Sequence, residues 1–151
     1  MMEINQTKNE KIKQFIVVKF GHEQYGINIQ IVQNIVRMPN ITRVPNAPAY
    51  IKGVINLRGE IIPVMSVRVK FDLEQDQFTN ATRIIIVKID GNAIGLIVDE
   101  VLEVIQLSEV QIEKIVSDSD DEKSKYVYAV GKVGEELVTL LNVGAIIGVD
   151  D

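Results

Sequence analysis

Residues 15–29 read Phe15-Ile16-Val17-Val18-Lys19-Phe20-Gly21-His22-Glu23-Gln24-Tyr25-Gly26-Ile27-Asn28-Ile29. The pattern recurs at 84–98 as Ile84-Ile85-Ile86-Val87-Lys88-Ile89-Asp90-Gly91-Asn92-Ala93-Ile94-Gly95-Leu96-Ile97-Val98. In each copy a short apolar run leads through a glycine-containing turn into a return strand, which is the pattern of a β-hairpin. Lys19 and Lys88, Gly26 and Gly95, and Val32 and Val101 all stand 69 residues apart. Such internal periodicity constrains the architecture before any single residue does.

Working outward, Asn28 can cap a short helix whose apolar face is Ile31, Val32, Ile35 and Val36. Pro39, Pro45 and Pro48 then force an extended connector. A second hairpin follows, from Gly53 to Val64, with a helix over 67–71 capped by Ser66. Its counterpart runs from Gly131 to Leu140, with a helix over 143–147 capped by Asn142; Val67 and Val143 are 76 residues apart. The longer spacing is taken up by a connector that includes the polar stretch 117–125, whose composition predicts a mobile loop. Residues 1–12, MMEINQTKNEKI, carry no apolar periodicity and are expected to fray.

Each unit holds four or five short strands and two short helices in about 65 to 70 residues, a size at which a lone core is marginal. Small β units hide exposed edges by closing into barrels. The expected division is a first barrel over 13–81 and a second over 82–149, with the terminal segments free to cross between them. The two would pack together and leave a groove.

Composition narrows the function. Hydrophobic residues at 46% and charged residues at 25% predict a packed core, and the dominance of Ile and Val over aromatics (5%) leans towards β. A net charge of −5 without a basic stripe argues against nucleic-acid binding. With no cysteine, disulfides, thiolate catalysis and thiolate zinc sites are excluded. No apolar run reaches a membrane span and the N-terminus is polar, so a cytoplasmic protein is expected.

The candidate chemistry is thin. His22 is the one histidine and falls in a hairpin turn, without a second imidazole to share a metal. Asp99, Glu100 and Glu103 read as the cap and first turn of a helix rather than as paired catalytic carboxylates. Gly91 to Gly95 joins two strands and lacks a following Lys-Ser or Lys-Thr, so it is no phosphate loop. No cofactor, metal site or enzymatic activity is expected. Arg58 stands out. It sits at the tip of a hairpin whose spacing from Gly53 to Glu60 is 7, against 5 from Gly131 to Glu136, which predicts two extra residues at that tip. A rigid hairpin presenting a guanidinium suits a partner's carboxylate or carbonyl, while a solvated turn arginine is the plain alternative. The apolar face around Val32 packs either on its own barrel or on a partner.

Residues 24–29 (Gln-Tyr-Gly-Ile-Asn-Ile), Val32, residues 44–59 (Val-Pro-Asn-Ala-Pro-Ala-Tyr-Ile-Lys-Gly-Val-Ile-Asn-Leu-Arg-Gly) and residues 98–101 (Val-Asp-Glu-Val) together resemble the CheW family of bacterial chemotaxis adaptors. The resemblance spans about 14–149. It implies a mainly β fold of two tandem five-stranded SH3-like barrels with short helices. It also implies two partners, the cytoplasmic tip of methyl-accepting chemoreceptors and the regulatory domain of the histidine kinase CheA. Carried over by motif, the receptor-binding positions are Val32, Gly53, Asn56 and Arg58, with Gly53 allowing close helix approach; the kinase-docking face is not placed. Recruitment to the inner face of the membrane would follow. No phosphotransfer histidine segment, ATP-binding region or receiver domain is written in the sequence, so a free-standing adaptor is expected. The competing reading is a small-molecule-binding barrel or another interaction module.

Overall fold

The runs Phe15–Val18 and Ile84–Val87 are buried at every position in the computed structural model, which describes residues 11–115 and 122–148. A strand that loses solvent on both faces needs no polar alternation, so these runs mark strands sandwiched between two cores.

In chain order the elements are β1 (Ile12–Phe20), β2 (Glu23–Asn28), β3 (Val32–Arg37), β4 (Ile51–Leu57) and β5 (Glu60–Ser66). Then come a one-turn helix α1 (Val67–Lys70), β6 (Arg83–Ile89), β7 (Asn92–Val98) and β8 (Glu100–Ser108). The described chain ends with β9 (Ile112–Lys114), β10 (Val127–Val133), β11 (Glu136–Leu141) and α2 (Val143–Ile147). They form a six-stranded sheet in the order β8-β1-β2-β11-β10-β9 and a five-stranded sheet in the order β3-β6-β7-β5-β4. In the first, the edge strands β8 and β9 are joined by a three-residue 3-10 turn, Glu109–Gln111, so the sheet must curl until its edges adjoin.

Three apolar clusters show the result. Phe15, Val17, Ile105, Leu107, Ala129, Val138 and Leu140 fill the inside of the six-stranded barrel. Ile55, Ile62, Val64, Ile84, Ile86 and Ile97 fill the other. The alternate residues of the same strands, Ile16, Val18, Phe20, Ile85, Val87, Leu96 and Val98, point the opposite way into a third cluster shared by both barrels. Two SH3-like barrels packed on a common seam is therefore the architecture.

The boundaries expected from the repeat are corrected by the strand order. The units 13–81 and 82–149 are not the barrels: hairpin β1–β2 belongs with β8 to β11, and hairpin β6–β7 belongs with β3, β4 and β5. The two hairpins are exchanged between units, and each docks through a parallel ladder, Leu140 opposite Gly26 and Val64 opposite Gly95. The repeat survives in registers and bulges. Val17 faces Gly26 as Ile86 faces Gly95, and Gln33 and Leu102, again 69 apart, are the extra residues of two bulges.

Four local expectations are also corrected. The helix over Ile31, Val32, Ile35 and Val36 is instead a 3-10 turn, Ile29–Ile31, followed by strand β3, with Asn28 capping the turn as its side-chain oxygen accepts from Gln30 N at 2.9 Å. The helix expected after Asp99 is the nine-residue strand β8. Ile12, placed in the frayed segment, opens β1 opposite Ser108. The two hairpins β4–β5 and β10–β11 have equal two-residue turns, Leu57 facing Glu60 and Val133 facing Glu136. The spacing from Gly131 misleads because Gly131 matches Ile55, not Gly53. Ser66 and Asn142 cap α1 and α2 as expected, accepting from Val69 N and Ala145 N. Of the polar stretch 117–125, residues 117–121 lie outside the described residues, and Glu122–Tyr126 is a 3-10 helix.

Candidate functional site

The β4–β5 turn is made by Arg58 and Gly59, with φ of 55° and 83°. Two successive positive φ values in a two-residue loop are the type I′ geometry, whose twist matches that of the flanking strands. The β6–β7 turn has the same shape at Asp90 and Gly91, φ 53° and 81°, with a residue type that suits it. Arginine does not suit it: a Cβ in the left-handed region costs about 1 kcal/mol. Asn56 offsets part of this, its side-chain oxygen accepting from Gly59 N at 3.1 Å. Arg58 is exposed and has no ion-pair partner among the described residues.

Arg58, Leu57, Glu60 and Ile62 share a cleft of about 220 Å³ with Gln33 and Asn34, the bulge of β3. Val32 directly precedes that bulge, pairs with Val87 and packs half-buried on the shared cluster beside Ile29 and Ile31. Of the four positions expected at the site, Val32, Asn56 and Arg58 thus converge on one end of the five-stranded barrel. Gly53 lies farther back along β4, buried, with φ 146°. A Cβ there would overlap the carbonyl oxygen of Thr42, whose backbone exchanges hydrogen bonds of 2.9 and 2.8 Å with Val54. The close approach that demands glycine is made by the chain's own segment 41–43.

A larger trough of about 920 Å³ runs between the proline connector and the loop after α1, walled by Val44, Ala47, Pro48 and Phe78, with Arg43 and Lys52 among its lining residues. It gathers no convergent acid–base set, and among the described residues no three His, Asp or Glu side chains are grouped to hold a metal. His22 is exposed in the β1–β2 turn.

The seam holds features the sequence reading did not single out. Phe20 stacks on Tyr25 with centroids 4.0 Å apart, and Phe71 meets Phe20, Tyr25 and Tyr126 at 5.2, 5.9 and 5.2 Å. Lys70 Nζ lies 3.9 Å from the centre of the Tyr50 ring. Arg68 donates to both oxygens of Asp99, at 2.9 and 2.7 Å, which holds the guanidinium above its ordinary pKa. The one sequence signal for this pair is a break in the repeat: Arg68 matches Gly144, and Asp99 matches Gln30.

Burial, with a smaller contribution from Glu23, pushes the Tyr25 hydroxyl up from 10.0 to about 12. A raised pKa means the folded state holds its proton while the unfolded chain releases it. The contribution of Tyr25 to stability is therefore fully present below pH about 10 and is lost, by about 2 kcal/mol, as pH rises towards 12, with Tyr128, also raised by burial, adding in the same direction. Chemical denaturation across that range checks this, and Tyr25→Phe should flatten much of the decline; an unchanged slope in that variant would rule Tyr25 out as its source.

A family model for the CheW-like domain matches residues 14–150. Chemotaxis protein CheW of Helicobacter pylori is 34% identical over 145 residues, covering 96% of this chain and 87% of that protein. The CheW of Klebsiella aerogenes is 33% identical over 131 residues, covering 87% and 79%. Among solved structures, the scaffolding protein TtCheW of Thermoanaerobacter tengcongensis matches with a TM-score of 0.79 at 35% identity, covering 87% of this chain and 90% of that one.

Proposed function

The chain belongs to the CheW-like domain family, a family of chemotaxis scaffolds, and on that footing we propose that it couples chemoreceptors to the histidine kinase CheA. In this reading one surface takes the helical tip of the receptor's cytoplasmic region and another takes the regulatory domain of CheA. The adaptor does no bond-making; it works in the cytoplasm and is drawn to the membrane's inner face by its receptor partner. Holding two partners on one rigid body raises their effective concentration for each other.

Arg58 carries the reading. An arginine kept in a left-handed turn, where asparagine or glycine would be more stable, is backbone strain retained at an exposed tip. Its guanidinium is free to take a carboxylate or helix-end carbonyls from a partner. Val32 supplies an apolar contact at the seam, Asn56 holds the tip in shape, and Gly53 acts indirectly by keeping β4 and segment 41–43 together.

The test is a pull-down with a receptor cytoplasmic fragment and with CheA. Arg58→Glu should lose receptor binding at least tenfold, about 1.4 kcal/mol or more, while keeping CheA. Arg58→Asn should also lose receptor binding and yet be more stable by about 0.5–1 kcal/mol, because the turn strain is relieved. Undiminished receptor binding by folded Arg58→Glu would remove the tip from the site.

A further inference from the structure

The polypeptide passes between the two barrels at two equivalent places, and they are built differently. At the first, β2 hands over to β3 through Ile29–Ile31, whose hydrogen bonds are local, Gln30 N to the Asn28 side chain and Val32 N to Ile29 O, and whose Ile29 and Ile31 pack half-buried on the shared cluster without a charged tie. At the second, β7 hands over to β8 through Asp99 alone. Asp99 N donates to Lys19 O at 2.9 Å, and its carboxylate accepts from Gly21 N at 3.2 Å, so this residue is bonded to the hairpin of the six-stranded barrel. The same carboxylate takes two bonds from Arg68 on α1, which follows β5 of the five-stranded barrel. Arg68 donates a further bond to Glu74 O at 3.1 Å. Lys70, over Tyr50 and 5.8 Å from the Tyr126 ring centre, adds a second tie from the same helix.

At the matching positions of the other crossing stand Gln30, whose side chain makes no hydrogen bond among the described residues, and Gly144 and Ile146 for Arg68 and Lys70. The pseudo-symmetry of the seam is thus broken by charge: one crossing is locked, and the one beside Val32 is not.

We propose that Arg68 and Asp99 are positioning residues that set the angle at which the barrels meet, and through it the width of the seam at Val32. An isolated ion pair at 20% and 29% exposure would be screened and nearly inert. This one is bidentate, carries a third donor from the opposite barrel, and sits where the chain changes barrels. The link to partner grip rests on the receptor-binding reading above.

The chain has no cysteine, so cysteines placed at the exposed Lys88 on β6 and Lys132 on β10 give one spin label on each barrel. Pulsed dipolar spectroscopy on the otherwise wild-type protein should show one narrow distance distribution. Arg68→Gln and Asp99→Asn should each broaden it, while Arg68→Lys, which keeps a cation facing the Asp99 carboxylate, should broaden it less. If only a fifth of molecules then hold the competent angle, receptor-fragment binding weakens about fivefold. Distributions as narrow as wild type in both single variants would overturn the proposal. Broadening with unchanged receptor binding would overturn its link to grip. Should Arg68→Gln fail to fold, Asp99→Asn, which keeps size and shape, decides. A wild-type protein that binds no receptor fragment would count against the proposed function alone, since the distances are read without a partner.

Discussion

Phe20→Ala is expected to cost about 3–5 kcal/mol, a large part of the stability of a domain this size, and to unfold both barrels in one transition. Phe20 is fully buried in the shared cluster, stacked on Tyr25 and met edge-on by Phe71. Its removal opens a cavity where the barrels meet and strips two aromatic partners at once. Because the hairpins are exchanged, neither barrel can be completed by one half of the chain. Chemical denaturation followed by amide exchange in both sheets should therefore give coincident midpoints, in wild type and variant alike. Two separated transitions would show that the barrels are independent units and that the exchange carries no cooperativity.

The second large effect is expected at Gly53. With φ 146° the backbone sits where side chains are strained, and an added Cβ would overlap the Thr42 carbonyl. Gly53→Ala should destabilise by about 2–4 kcal/mol, since both the strain and the lost Thr42–Val54 bridge count against it. The measurement is a denaturant melt with amide exchange at Val54 and Thr42. Wild-type stability in this variant would mean that segment 41–43 does not press on β4. The result bears on function too: lost receptor binding in a Gly53 variant reports a displaced β4, whereas loss at Arg58 without lost stability reports a contact.

The hairpins were legible because their signals are local. Apolar runs, turn glycines and the caps Asn28, Ser66 and Asn142 each act within a few residues. The two segments misread as helices, at 31–36 and after Asp99, each contain a bulge, and the second also opens on carboxylates that suit a cap and first turn. Gln33 and Leu102 are bulge residues, and a bulge shifts the two-residue alternation by one place. In β3 the shift leaves apolar residues at 32, 35 and 36, which mimics a helical face. Arg58 was legible as a tip residue, but its strain was not, since turn type is a matter of φ. Arg68 and Asp99 were not legible as a pair, because they meet across 31 residues and Asp99 also suits a cap.

From residue order alone follow the twofold repetition, the paired ribbons and a composition without cysteine and with a single histidine. Which unit's hairpin completes which barrel does not follow from it. Both hairpins are apolar on both faces, and β5 and β11 end alike, so local pattern fits either pairing. The connections choose: one residue between β7 and β8 is too short for a hairpin turn, so the third strand must leave for the other barrel. That constraint appears only once β8 is seen as a strand, and with it the seam, its lock at Asp99 and its unlocked side at Val32.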